Sequence, residues 1–304
     1  MRVRLGINTC FAVKRWPRPA DWAPLVRDEL GLDTVELSLD LVEDIATPAA
    51  REEAAGQLRR ALIHYGLRAD TLFTGLAAYS LPLLMHPDAG RRQAASDWYR
   101  AVIDLAAQAG VRGAGGHVGA MSVPDWRDPA RRAERWAGLQ QALGELAAAA
   151  RTAGLEYLLV ENLASQREPS TMDGLASLLT DGDAGRVPVR LCLDVGHQCV
   201  PGTAGAERDP YAWLARFGGQ LAEVQLQQSD GCGDHHWPFT AERNQGGLID
   251  PGRVLDALAA AGAQDVLLIL EVIPPFEQDD DEVLADLRAS ARLWKAALGE
   301  RGLA

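Results

Sequence analysis

The chain has 304 residues, 47% of them hydrophobic and 6% aromatic, with a formal net charge of −12 at pH 7. That length suits two ordinary domains or one large α/β barrel, and the acidic balance argues against nucleic acid as a partner. No apolar run approaches ~20 residues, which argues against a membrane span. The four cysteines, Cys10, Cys192, Cys199 and Cys232, form no Cys-x-x-Cys pair and no disulfide framework, as expected in a reducing compartment. The N-terminus enters a strand directly, without a signal-peptide apolar region. A soluble cytoplasmic protein is the expectation.

The residues Arg4-Leu5-Gly6-Ile7-Asn8 open the chain as a strand. A helix over 20–30 follows, with Trp22, Leu25, Val26 and Leu30 on one face. Next come a strand over 34–39, a helix over 47–65 and a strand over 68–73. The segment 91–109 carries Trp98, Val102, Leu105 and Ala106 at helical spacing. A strand over 110–117 leads to a long Ala-rich helix over 129–153. The remaining strands are predicted at 157–161, 190–194, 222–227 and 266–271, with helices at 172–179, 211–217, 251–261 and 280–298. Gly31, Gly66, Gly110, Gly154 and Gly262 stand where helix C-caps are needed. Eight alternating units predict a closed (β/α)₈ TIM barrel, one domain over residues 1–304. A doubly wound sheet would place a Gly-x-Gly-x-x-Gly loop after its first strand; here Asn8-Thr9-Cys10-Phe11 follows.

Three acids end apolar strands: Glu161 after Leu158-Leu159-Val160, Asp194 after Leu191-Cys192-Leu193, and Glu271 after Leu267-Leu268-Ile269-Leu270. A carboxylate against such a run costs several kcal/mol unless a cation or hydrogen bonds compensate. Three of them suggest carboxylates gathered around one metal ion. Strand two brings Glu36 and strand four His117, while His197 stands three residues after Asp194. In strand seven Glu223, Gln225 and Gln227 alternate with Val224 and Leu226, so the polar set shares one face. Asp234, His235 and His236 follow. Each residue also has a structural reading: Asp194 as a helix cap, a strand-end His as a hydrogen-bonded structural group, 234–236 as a polar loop. Their recurrence at the same end of several strands favours a site. An oxygen-rich donor set suits Mn²⁺ or Mg²⁺, with Zn²⁺ or Co²⁺ as further options.

These segments, in this order and spacing, resemble the xylose isomerase-like superfamily of TIM barrels. That group holds sugar and sugar-phosphate isomerases and epimerases together with apurinic endonucleases of the endonuclease four type. The likeness runs from the opening strand and Val35-Glu36-Leu37 through Glu161-Asn162 and Asp194-Val195-Gly196-His197 to Glu271. For the ketose 3-epimerases of the group it implies one divalent metal held by Glu, Asp, His and Glu on strands five to eight. Carried over, the ligands are Glu161, Asp194, the strand-seven position and Glu271, with His197 binding substrate. Strand seven departs from the pattern, because Gln225 stands where the family has His. Six residues after Glu161 the family has Glu and this chain has Arg167, which could pair with a substrate phosphate.

The resemblance thus implies an isomerase or epimerase acting on a small ketose or ketose phosphate. The metal would acidify the α-proton and stabilise a cis-enediolate, with Glu161 and Glu271 as the acid–base pair. His197, Arg167, His117, His236, Gln227, Trp237 and Glu36 form the expected substrate-binding set. Trp16 and Phe239 join Trp237 as candidates for an apolar wall. The tetrulose-phosphate epimerase or racemase group is the nearest branch. A sugar or sugar phosphate is the expected partner, with no nucleic acid, no membrane, and two or four copies of the chain as the expected assembly. The competing readings are a metal-dependent apurinic endonuclease and a barrel that binds sugar without chemistry. The endonuclease reading lacks the third-strand histidine and has Gln225 for another.

Overall fold

The structure is a computed structural model that describes residues 1–303. Its strands are β1 (Arg2–Asn8), β2 (Thr34–Ser38), β3 (Arg68–Phe73), β4 (Gly113–Gly116), β5 (Tyr157–Glu161), β6 (Val189–Asp194), β7 (Leu221–Leu226) and β8 (Asp265–Leu270). They follow one another in chain order as a closed barrel. The pairings are parallel, as when β8 pairs with β1 through Val3↔Val266 and Leu5↔Leu268. The helices are α1 (Pro19–Pro24), α2 (Pro48–Tyr65), α3 (Gly75–Tyr79), α4 (Ala89–Ala109), α5 (Val123–Arg127), α6 (Pro129–Ala153), α7 (Met172–Leu178), α8 (Pro210–Phe217), α9 (Ala241–Gly246), α10 (Pro251–Ala260) and α11 (Asp280–Gly299). The expected (β/α)₈ barrel is the fold. Among the described residues no helix is long and apolar enough to cross a membrane.

Local chemistry explains where the helices start. Asp128-Pro129, Asp209-Pro210 and Asp250-Pro251 each open a helix. The Asp carboxylate accepts a first-turn N–H, and the proline sits where its missing N–H costs nothing. The expected C-cap glycines adopt positive φ, 81° at Gly110 and 90° at Gly154. Because Gly110 caps α4, the fourth strand begins only at Gly113, three residues later than its sequence pattern suggested. The helix expected over 20–30 changes register at Pro24, after which the Leu30 N–H reaches back five residues to the Leu25 carbonyl at 3.0 Å. Proline removes one i→i−4 bond and crowds the preceding turn. The helices α3, α5 and α9, five or six residues each, are too short to show periodicity in a sequence.

Two compact units make up the chain. The first comprises Met1–Glu36, Ala61–Arg68 and the chain from Cys192 onward. Its core holds the fully buried Trp22, Trp213 and Trp294 from α1, α8 and α11. The second comprises Leu37–Arg60 and Ala69–Leu191. Its core includes Phe73, Met85 and Tyr99, and α6 buries Leu139, Leu143, Leu146 and Ala150 along one face.

Candidate active site and metal centre

In a parallel barrel the loops that follow the strands carry the chemistry. In the first unit Asn8 ends β1, Asp194 ends β6, Gln225 and Gln227 flank the last residue of β7, and Glu271 follows β8. Glu36 sits inside β2, two residues before its end. All six are buried. Period two turns Glu223 and Gln225 to one face of β7, and Gln225 pairs in register with Ile269.

Two amides and two carboxyl groups close a hydrogen-bonded ring here. Gln225 Nε2 donates to Glu36 Oε2 at 2.9 Å and Glu271 Oε1 at 3.1 Å. Asn8 Nδ2 donates to the same two oxygens at 2.7 and 3.3 Å. Burial, then the adjoining Glu223 carboxyl, then Glu271 push the Glu36 carboxyl well above its ordinary range. Gln225 Oε1 is fully buried and accepts no hydrogen bond among the described residues. A buried acceptor without a donor costs roughly 1–3 kcal/mol. A hard divalent cation satisfies such an oxygen, so the donor set fits the metal that the family likeness implies.

Asp194 anchors a second cluster. Its Oδ1 accepts the backbone N–H groups of Gly196 and His197 at 2.6 and 2.9 Å, a local turn in which Gly196, and not Asp194, is the N-cap of the short helix that follows. Gln227 Nε2 lies 3.0 and 3.1 Å from the two Asp194 oxygens, and its Oε1 accepts the His236 N–H at 2.7 Å. Asp234 approaches both rings, its Oδ2 lying 3.3 Å from His197 Nε2 and its Oδ1 3.2 Å from His236 Nε2. Burial opposes the charge on Asp234, but the two histidines hold its carboxyl well below the usual range. Burial likewise disfavours the His236 cation, and the Asp234 carboxylate outweighs it, raising the imidazole above its ordinary value. His236 Nδ1 lies 3.4 Å from Glu271 Oε2. One ligand atom each from Asp194, His197 and His236 lie within 4.8 Å of one another, as do those of Glu36, Cys192 and Glu223; both are groups that could hold a metal. Burial, then Asp194, pushes the Cys199 thiol up to about 12, so it adds no thiolate at neutral pH.

The second unit holds Glu161, His117 and Arg167. Glu161 ends β5 fully buried, with Oε2 at 2.9 Å from His117 Nδ1. His117 is fixed from several sides. Its N–H donates to Thr74 Oγ1 at 2.9 Å, the Tyr99 hydroxyl donates to its carbonyl, and Phe73 packs edge-on at 5.0 Å. Burial, then the Glu161 charge, raises the Tyr99 hydroxyl well above its ordinary value, keeping it a donor. Phe73 ends β3, in the stretch Leu72-Phe73-Thr74-Gly75 that carries no histidine. Arg167 is half-buried and spends one nitrogen on the Met121 carbonyl at 2.7 Å, while its own carbonyl accepts the Met121 N–H.

The aromatic candidates sort differently. Phe239 is core, T-stacked on Trp294 at 5.4 Å. Trp16 lies half-buried, tilted against Phe11 at 6.0 Å. Trp237 has the His235 ring stacked at 4.1 Å and the Arg243 guanidinium 4.0 Å from its ring centre. With both groups packed against its ring, the indole edge is what Trp237 offers a ligand. Asn8 and Glu223 were absent from the expected site set. The signal for Asn8 was there, a polar residue ending an apolar strand; Glu223 shares the alternation that marked Gln225.

The family described as xylose isomerase-like TIM barrel matches residues 27–295. A D-erythrulose 1-phosphate 3-epimerase of Brucella abortus (strain 2308) is 28% identical over 298 residues, spanning 97% of this chain and 96% of that protein. A crystal structure from Rhodospirillum rubrum, of a protein provisionally described as a xylose isomerase, superposes with TM-score 0.88 at 35% identity, covering 97% of this chain and 99% of the other. D-Psicose 3-epimerase from Clostridium cellulolyticum, crystallised with D-tagatose, shares the fold at TM-score 0.70 and 15% identity over 97% and 99% of the two chains. The chain belongs to the xylose isomerase-like TIM-barrel family.

Proposed function

We propose that the protein is a divalent-metal-dependent epimerase acting at C3 of a small ketose phosphate. The Brucella abortus protein, similar along nearly its whole length, supports the reaction and the tetrulose-phosphate class. The observation that carries the metal is the buried Gln225 oxygen without a donor beside buried carboxyls. In this reading Glu161, Asp194, Gln225 and Glu271 hold one ion, Mn²⁺ or Mg²⁺ by the hardness of the donors. When bound, the ion supplies positive charge against the negative charge that develops as the α-proton leaves.

The chain's own residues do the rest. Glu161 and Glu271 take and return the proton at one carbon from opposite faces. His197 and His236 hydrogen-bond substrate oxygens, with His117 and Gln227 fixing the groups around them. The Trp237 edge closes the apolar side. Arg167 pairs the phosphate with the N–H groups that Met121 leaves free. Arg167→Ala should then raise KM for a ketose phosphate and leave KM for the free ketose nearly unchanged; equal rises for both would assign Arg167 to holding Met121 alone.

The deciding experiment is incubation with D-erythrulose 1-phosphate in D₂O with Mn²⁺. Deuterium should enter C3 as the epimer forms, and a chelator should abolish both until Mn²⁺ is restored. Absence of exchange from erythrulose and other short ketose phosphates, with metal bound, would sink this assignment.

A further inference from the structure

A ligand on strand seven that is a glutamine raises a problem a histidine does not. A primary amide has an oxygen that binds cations and a nitrogen that does not, nearly equal in shape. Something must decide which end faces the ion. We propose that Glu36 is the positioning residue that, with Asn8 and Glu271, locks the Gln225 amide so that its oxygen is the end presented to the metal. The inference rests on Gln225 being a ligand, as in the function proposed above.

The two protons of Gln225 Nε2 are committed to Glu36 Oε2 at 2.9 Å and Glu271 Oε1 at 3.1 Å. Turning the amide over would set its oxygen against two oxygens that both act as acceptors here, toward Asn8 as well as Gln225. Asn8 reinforces the lock. Its nitrogen bridges the same two oxygens, and its Oδ1 accepts the Cys10 N–H at 2.8 Å, so it cannot turn over either. Glu36 Oε2 is thereby held by two amides from opposite neighbours in the ring. The neighbouring Gln227 shows the contrast. Its oxygen is spent on the His236 N–H at 2.7 Å, and only its nitrogen faces Asp194. Of the two inward glutamines, Gln225 alone keeps an oxygen without a donor among the described residues. Glu36 is fully buried inside β2, which suits a residue acting through another side chain better than one that meets substrate.

The test is a double-mutant cycle read as Mn²⁺ affinity by calorimetry on metal-free protein, with Mn²⁺ itself as the probe. Glu36→Gln presents an amide that can donate or accept, so it no longer dictates the orientation of Gln225. Affinity should fall roughly 10–100-fold, as for other residues that orient metal ligands. In the Gln225→Ala background the same change should cost less than about 2-fold, because nothing remains to orient. Glu36→Asp, which keeps the carboxyl but withdraws Oε2, should repeat the loss and serves if Glu36→Gln folds poorly by circular dichroism. An equal loss in both backgrounds would show that Glu36 acts on the fold at large and would overturn the proposal. If Gln225→Ala weakens Mn²⁺ but neither Glu36 variant does, the ligand assignment survives and the positioning role falls. If Gln225→Ala leaves Mn²⁺ affinity unchanged, the ligand assignment falls and this inference with it.

Discussion

Glu161→Gln and Glu271→Gln are each expected to cut turnover at least ~10²-fold, the lower range for loss of a general acid–base, with the fold intact. Both side chains are buried at strand ends, and Gln matches Glu in shape, so packing survives the change. Glu271 Oε1 accepts from Asn8 and Gln225, and an amide oxygen can still accept there. What disappears is a group that can take and return a proton. Metal content must be measured alongside, because both residues are also assigned as ligands. A finer reading is available in D₂O. If the two carboxylates work from opposite faces, each single variant should lose epimer interconversion, and each should keep slow exchange with a different epimer. Exchange retained with the same epimer in both variants would overturn the two-base assignment, and full activity in either would remove that residue from the chemistry.

A large stability effect is expected at Gly115 in β4. Its φ is 144°, and an added Cβ would lie 2.2 Å from the Leu159 carbonyl oxygen of β5. The clash is with backbone, in a strand pair whose register is Gly115↔Leu159, so no side chain can turn aside to relieve it. Gly115→Ala should destabilise by about 3 kcal/mol or more, combining disallowed φ with overpacking. Thermal unfolding should drop by roughly 5–10 °C. His117, two residues on, would shift with the strand, so activity should fall even in the folded fraction. Gly138→Ala is the control. It lies on the exposed face of α6, where an added Cβ meets nothing within 4 Å, and it should stabilise by about 0.5–1 kcal/mol. A Gly115→Ala protein as stable as the wild type would mean that β4 and β5 are farther apart than described.

The strands were legible because each is a short apolar run that helices interrupt at regular spacing. The strand over 157–161 is found with the same bounds, and the one over 266–271 is shifted by a single residue. Where the reading slipped, a local competitor won. Gly110 served its helix as a cap and shortened β4, and Pro24 broke the register of a helix whose apolar face ran on past it. The strand-end acids were equally legible, because a carboxylate interrupting an apolar run violates the pattern around it.

The sequence by itself determined the fold class and the residue types at the strand ends, since both depend on periodicity and local composition. Only the tertiary structure decided which of those residues meet. Nothing in Asn8 or Glu36, 28 residues apart, says that Asn8 and Gln225 donate to one oxygen of Glu36. Nothing in the alternation of strand seven tells Gln225 from Gln227, yet one oxygen is spent on a backbone N–H and the other is left without a donor. Trp237 reads as a sugar platform until His235 and Arg243 are found on its faces. Such facts are set by partners distant in the chain, because hydrogen-bond satisfaction in a buried site is a property of the whole neighbourhood and no single segment encodes it.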